Sequence, residues 1–175
     1  MNALIHAAVA IALLLFAQGQ GPARPEVPES LKAPAGEEVI LAGHATGVQI
    51  YVCQPGADQK FSWVLKAPEA ELTDSAGKKI VHHSAGPTWK HMDGSEVTGK
   101  VIAKHDAPKP DAIPWLLLAA ASHTGEGILS RVTSIQRIHT EGGLPPAAST
   151  CDAAASGKES QSAYAADYYF YAPPR

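Results

Sequence analysis

Val-Gln-Ile-Tyr-Val at 48–52 alternates between two sets of side chains with a period of two, which is the repeat of a half-buried β-strand. The same alternation recurs at 61–66 and at 97–104. The pairs Gly86-Pro87 and Asp93-Gly94 supply the backbone angles that hairpin turns need. Short strands separated by such turns about every ten residues predict an all-β fold, either an antiparallel β-sandwich or a barrel-like sheet.

One segment, Pro114–Ala121, has a serious claim to be a helix, because it is rich in Leu and Ala and has Pro at its first position. A buried strand is favoured instead, since the turn residues Thr124–Gly127 lead from it into the β-branched run Ile128–His139, itself predicted to be a long strand. Tyr164–Tyr171 predicts an aromatic strand, and the Gly-, Ala-, Ser- and Pro-rich segment Thr140–Ser162 predicts a long C-terminal loop.

The first nineteen residues are predicted to be a signal peptide. Residues 7–16 are apolar, uncharged and too few to span a bilayer, and the small residues Ala17 and Gly19 suit a signal peptidase. No Lys or Arg precedes this run, so a retained anchor helix stays as the alternative. We expect a signal peptide at 1–19, a loosely draped proline-rich arm at 20–37 and a single β domain at 38–175. The leader predicts a secreted or periplasmic protein with no transmembrane segment after cleavage.

The charge of the chain argues against nucleic acid as a partner. The sequence has 14 Lys and Arg residues against 17 Asp and Glu residues, which gives a net charge of −3. These residues are scattered singly along the chain, whereas a nucleic-acid-binding surface or an anionic membrane requires a basic patch. We therefore expect neither of these partners.

The two cysteines, Cys53 and Cys151, predict one disulfide bond, because an even count in an exported protein favours pairing. A bridge between positions this far apart constrains the unfolded chain and is worth roughly 4–5 kcal/mol in the loop-closure model. Two unpaired buried thiols are the alternative.

Histidines near the centre of the chain are candidate metal ligands, since imidazole is a common ligand of copper and zinc. His82 and His83 are adjacent in a predicted strand, so their side chains point to opposite faces and only one of them serves a given site. His83 and His91 flank a turn and meet across the hairpin in this hypothesis, with Asp93, His105 or His123 as the third ligand. The alternative is that all of them are ordinary hydrogen-bonded histidines.

A ligand-binding site is the other hypothesis, with His83, Trp89 and Arg137 as candidate residues. A polar pocket is expected to be lined by His83, with His91 or Arg137 as its neighbour. The alternative is a purely structural role, in which His83 donates to a backbone carbonyl and stabilises its turn. Trp63 and Trp89 stand in strand patterns and are expected to be mostly buried. Arg131 and Arg137 are six positions apart and are predicted to share a strand face, where they are either solvated or clamp an anion.

The aromatic C-terminal strand presents rings on both of its faces. One face is therefore either exposed, where it suits a sugar or a protein partner, or covered by the proline-rich arm. The sequence has no Gly-x-Ser-x-Gly elbow, no His-Glu-x-x-His, no Cys-x-x-Cys and no P-loop, so catalytic residues and a cofactor remain unknown.

Six landmarks follow one another over most of the chain: Gly47–Cys53, His83–Trp89 with Asp93–Ser95, Ala112–Leu117, Val132–Arg137, Cys151–Asp152 and Ala166–Tyr171. In order and spacing they resemble the landmarks of the domain of unknown function 3455 family. The resemblance implies an exported bacterial or fungal protein with a mostly-β fold, and it transfers no activity. Ser84 departs from the family pattern, in which an aromatic residue is expected, and this weakens any role for an aromatic wall beside His83.

These observations together predict an exported single-domain β-protein that is a binding or envelope-associated module. Its partner is expected to be a small molecule, a saccharide or an envelope component. The alternative is a metal-dependent redox or hydrolytic enzyme that holds copper or zinc in a histidine-based site. Whether the protein is an enzyme is left open by the sequence.

Overall fold

The structure is a computed structural model and describes residues 21–175. The predicted signal peptide at 1–19 lies outside the described residues and stays a prediction. Eight β-strands and four short 3₁₀ turns make up the regular structure. None of the described helices is long and apolar enough to cross a bilayer.

The eight strands form one sheet in which each strand pairs antiparallel with the next, and the last strand pairs with the first. The all-β prediction is confirmed, and of its two forms the protein adopts a single sheet closed into a ring. The strands are β1 Glu38–Pro55, β2 Phe61–Thr73, β3 Lys79–Ser84, β4 Thr88–His91, β5 Glu96–His105, β6 Trp115–Thr124, β7 Ser134–Gly142 and β8 Glu159–Ala172.

The longest strand, β1, turns its less apolar face into the ring. Ala45, Gln49 and Tyr51 lie on this face and are all buried. The apolar members of the 48–52 stretch lie on the opposite face and are only half-buried. Gly47 lies on the inner face where β1 crosses β2 closely, and a Cβ atom there would come within 2.6 Å of the Cβ of Ala70. β1 thus contributes polar groups to the interior of the ring.

The ambiguous segment at 114–121 is a strand, as predicted, and forms most of β6. The predicted single strand over 128–139 is wrong, because Ile128–Arg131 is a 3₁₀ turn and β7 begins only at Ser134. The carboxylate of Asp93 accepts a hydrogen bond from the Ile128 amide at 2.8 Å and holds the turn away from the sheet. Arg131 and Arg137 therefore do not share a strand face.

Each end of the ring is closed by a connecting segment. At one end the 3₁₀ turn Ile128–Arg131 inserts Leu129, which is fully buried. At the other end the long loop at 143–158 folds over the opening, and the Tyr51 hydroxyl donates to the carbonyl of Gly143 at 2.6 Å. The predicted disulfide between Cys53 and Cys151 is present and fastens this loop to β1, with the two Cα atoms 5.5 Å apart.

The proline-rich arm packs on the outside of the ring. Leu31 is fully buried against the outer side chains Trp115, Leu117 and Ile138. Its carbonyl accepts a hydrogen bond from Gln136 Nε2 at 2.6 Å. Of the two alternatives for the aromatic C-terminal strand, the covered one is observed, since the arm also packs on its outward-facing tyrosines. The arm is thus an integral layer of the fold.

The wall of the ring has an opening on one side, because the hairpin β3–β4 is short. β3 pairs only with the last residues of β2, at 70–73, and β4 pairs only with the first residues of β5, at 96–98. The remaining edges, at 61–69 of β2 and 100–105 of β5, have no strand partner on this side among the described strands. We call the gap between these two edges the window.

Candidate functional site

A cavity of about 340 Å³ lies inside the ring behind the window. Every one of the eight strands contributes at least one side chain to its wall. Leu65 and Val101, which are both exposed, stand at the mouth on opposite edges of the window, and Leu116 and Leu118 lie deeper. Natural small-molecule sites have volumes of roughly 300–1,000 Å³ and mostly apolar walls. The cavity has the size and the lining of such a site.

His83 lines the cavity and is held in one orientation by the turn that follows β3. Its side chain is 2% exposed, and Nδ1 donates to the carbonyl of Thr88 at 2.8 Å. A carbonyl oxygen only accepts, so the proton sits on Nδ1 and Nε2 keeps its lone pair. Burial lowers the pKa of His83 to about 4, although the hydrogen bond to Thr88 opposes that shift. The ring is therefore neutral at physiological pH.

Trp89 forms the aromatic wall beside His83. The two rings stack with their centroids 4.5 Å apart and their planes 4° from parallel. Tyr168 from β8 meets both rings edge-on, with centroid distances of 5.2 Å to His83 and 5.7 Å to Trp89. Gly99 makes room for this arrangement, because a Cβ atom there would come within 2.9 Å of the Trp89 ring. The aromatic cluster is packed as rigidly as a core, although it borders a cavity.

Arg137 brings a positive charge into the ring from the inner face of β7. Its Nη2 donates to the carbonyl of Pro114 at 2.8 Å, and its Nε is buried without a hydrogen-bond partner. None of the ion pairs among the described residues involves Arg137. Burial raises the pKa values of Tyr164 and Tyr168, and the charge of Arg137 works against that rise. The cavity therefore contains a cation that no described carboxylate balances.

Several buried polar atoms of the cavity wall have no hydrogen-bond partner among residues 21–175. They belong to four side chains: Gln49 Nε2, Trp89 Nε1, Arg137 Nε and Tyr168 OH. Native proteins satisfy nearly all buried polar groups, and an unsatisfied one costs about 1–3 kcal/mol. These unpartnered atoms are concentrated around one cavity.

The structure brings the three candidate ligand-binding residues, His83, Trp89 and Arg137, to the same cavity. Their role in binding stays a prediction. Sequence reasoning missed Gln49 and Tyr168 as site residues. Gln49 has the same strand parity as Ala45 and so shares its face, but no local signal in the sequence marks this face as the inner one.

The candidate metal ligands are not brought together. His83 lies opposite Trp89 in the hairpin, whereas His91 lies opposite Val81, nearer the other end of the ring. Asp93 is 3.0 Å from His91 Nδ1. Among residues 21–175 no group of three or more His, Cys, Asp or Glu side chains is placed to hold a metal ion. The copper or zinc hypothesis thus has no ligand set in the described part of the chain.

Asp93 instead organises the turn that closes one end of the ring. Its Oδ1 accepts hydrogen bonds from the amide and the hydroxyl of Ser95, and its Oδ2 accepts from the amide of Ile128. Burial alone would raise the pKa of Asp93, but these hydrogen bonds outweigh it and hold that pKa well below its ordinary range. The role of this carboxylate is structural.

Two other predicted residues lie away from the cavity. His82 points outward, as the strand alternation predicts, with its ring nitrogens 3.3 Å from Glu69 and 3.1 Å from Glu71. Trp63 is only half-buried, contrary to expectation, because it lies over the closing loop, where its Nε1 donates to Thr150 Oγ1 at 3.0 Å.

A further histidine cluster, missed by sequence reasoning, sits on the outer surface. His44 and His139 each place Nδ1 2.8 Å from one oxygen of Asp167, and all three side chains are partly exposed. His139 has a left-handed φ of 50° at the bulge in β7, and this contact holds it there. The cluster ties β1, β7 and β8 together and does not touch the cavity.

Comparison with known proteins gives one result. A family model described as "Protein of unknown function (DUF3455)" matches residues 34–172, which is most of the chain. No curated protein and no solved structure matches.

Proposed function

The chain belongs to the DUF3455 family of proteins of unknown function, and we propose that its member described here is a small-molecule-binding module of an oxidising, secreted or periplasmic compartment. The observation that carries the proposal is the set of unpartnered buried polar atoms around a largely apolar cavity. In small-molecule sites an apolar wall buries the ligand, and a few polar groups that converge on it fix its orientation.

Binding is favoured over catalysis by the composition of the cavity wall. The lining contains no Ser, Thr, Cys, Asp or Glu, so it offers neither an aliphatic hydroxyl or thiol nucleophile nor a carboxylate base. The His83 imidazole is neutral, with Nδ1 committed to the backbone and the lone pair of Nε2 left as the one candidate base. These groups can hold a ligand, whereas a reaction would have this base without an aliphatic nucleophile or a carboxylate beside it in the lining.

A small molecule is favoured over a saccharide chain or an envelope surface. Sugar platforms present the face of an exposed aromatic ring. Trp89 and Tyr168 are each 1% exposed, and one face of Trp89 is covered by His83. The ligand therefore has to enter the ring through the window.

The proposed location is supported by the bond between Cys53 and Cys151, since such disulfides persist in oxidising compartments. The signal peptide predicted at 1–19 agrees with this location.

A neutral apolar probe, N-phenyl-1-naphthylamine, tests the proposal through its fluorescence on transfer from water. We expect saturable binding at one site, and we expect Val101→Trp to weaken it at least about tenfold, because this side chain lines the mouth of the cavity. Ile102→Trp is the matched control, since Ile102 is the next residue, is also exposed and does not line the cavity. Equal effects of the two substitutions would overturn the proposal.

A further inference from the structure

The charge inside the ring specifies which kind of small molecule the cavity takes. The guanidinium of Arg137 carries a positive charge and has no acidic partner among the described residues. The other basic side chain of the lining, Lys66 at the mouth, is already paired with Glu159. A buried charge is costly unless it is paired, so the unbalanced guanidinium calls for an anion from outside the protein.

The hydrogen-bonding groups of the wall are mainly donors. Arg137 Nε and Gln49 Nε2 only donate, and the Tyr168 hydroxyl, whose pKa is raised by burial, keeps its proton and donates too. These three atoms come from β7, β1 and β8, which are neighbours in the ring. An ionised oxyanion is the ligand group that accepts several such bonds at once, and guanidinium groups match the planar carboxylate well.

A single arginine limits the charge of the ligand. One cation balances one negative charge, and a second negative charge would be buried without a partner. A monocarboxylate therefore fits the site better than a phosphate or a dicarboxylate. The remaining wall is apolar, with Leu65, Val101, Leu116 and Leu118 between the charged end and the window.

We infer that the cavity binds an apolar monocarboxylate, whose carboxylate lies at Arg137, Gln49 and Tyr168 and whose apolar body extends toward the window. This inference rests on the proposed small-molecule function and adds the chemical class of the ligand.

The isosteric pair 2-naphthoate and 2-naphthamide tests the inference, because the two differ only in charge and hydrogen-bonding character. In titration calorimetry of the full mature protein at pH 7, we expect 2-naphthoate to bind about tenfold or more tightly than 2-naphthamide, which corresponds to one charge-assisted hydrogen-bonded pair. Arg137→Gln is expected to abolish this preference, so that the two probes bind equally. Arg137→Lys keeps the charge and is expected to retain part of the preference.

Arg131→Gln is the matched control, since Arg131 lies in the 3₁₀ turn and donates only to the carbonyl of Pro173, away from the cavity. It should leave the preference unchanged. Equal binding of the two probes by the wild-type protein, or a preference that survives Arg137→Gln, would overturn the carboxylate inference and leave the binding function standing. If neither these probes nor N-phenyl-1-naphthylamine binds, both proposals fail. If Arg137→Gln does not fold by circular dichroism, the Arg137→Lys variant and the wild-type preference decide.

Discussion

At the scale of single residues, His83 combines a structural bond with a place in the cavity wall. Nδ1 is fixed by the carbonyl of Thr88, and the ring is stacked on Trp89. The two alternatives from the sequence, a pinned turn and a pocket residue, are therefore compatible, because different atoms of one ring are involved. The uncharged state that burial imposes on His83 has a measurable consequence.

Stability is expected to fall as the pH is lowered from about 6.5 to about 4. The pKa of His83 is lowered from 6.5 to about 4 on folding, so between these values the unfolded chain binds a proton that the native state does not. The free energy of unfolding should decrease by about 3 kcal/mol across this window. Denaturant titrations of wild type and His83→Asn at several pH values measure it, since the asparagine amide donates to Thr88 but does not titrate.

His82→Asn is the control for this experiment, because His82 lies next along the strand but points outward. It should keep the wild-type dependence on pH, whereas His83→Asn should flatten it. If all three proteins lose stability in parallel between pH 6.5 and pH 4, His83 is not the group that titrates.

At the scale of elements, the sequence predicts the strands better than their orientation. The alternation at 48–52 identifies β1, but a period of two does not say which set of side chains faces inward. Here Gln49 faces the interior, because the ring holds a cavity and not only a core. Cross-strand neighbours, which set the face, come from far along the chain; Gln49 lies opposite Pro68 and Ser162. The site could be predicted in part through His83, since the Gly-Pro turn beside it is a local signal.

The error at 128–139 has a similar origin. Ile128 and its neighbours have strand propensity, but the amide of Ile128 donates to the carboxylate of Asp93 and the amide of Leu129 donates to the hydroxyl of Ser95, both from another part of the chain. Propensity within a segment does not register such a contact.

The free strand edges at the window, in contrast, carry recognisable protection against pairing with another strand. β2 has Pro68, and each edge strand has a bulge, near Lys66 and at Ile102. These features discourage pairing with another strand and keep the window open.

Asp93→Ala is expected to destabilise the protein by about 3 kcal/mol or more. The change removes bonds to Ser95 and to the amide of Ile128, each worth about 1.5–3 kcal/mol when the acceptor is charged. Asp74→Ala is the control, because Asp74 accepts only from amides of its own exposed turn and joins no distant segment, so a smaller loss is expected there. Chemical denaturation measures both. Equal losses would mean that Asp93 supports only its local turn.

At the scale of the whole molecule, the ring is held closed by segments that are not strands. The arm covers the outer face of β6, β7 and β8, and the 143–158 loop and the 3₁₀ turn cover the two ends. The window in the side wall leaves a path to the cavity. This arrangement separates the parts that stabilise the fold from the residues that face the cavity.

Removing the disulfide tests that separation. Cys53→Ala combined with Cys151→Ala is expected to lower the free energy of unfolding by about 4–5 kcal/mol, because the bond joins positions 98 apart in the chain. The affinity for 2-naphthoate is expected to stay within about twofold below the melting temperature, since neither cysteine lines the cavity. Dithiothreitol should reproduce the loss in the wild-type protein and have no effect on the double variant. A folded double variant that no longer binds the probe would show instead that the end loop shapes the cavity.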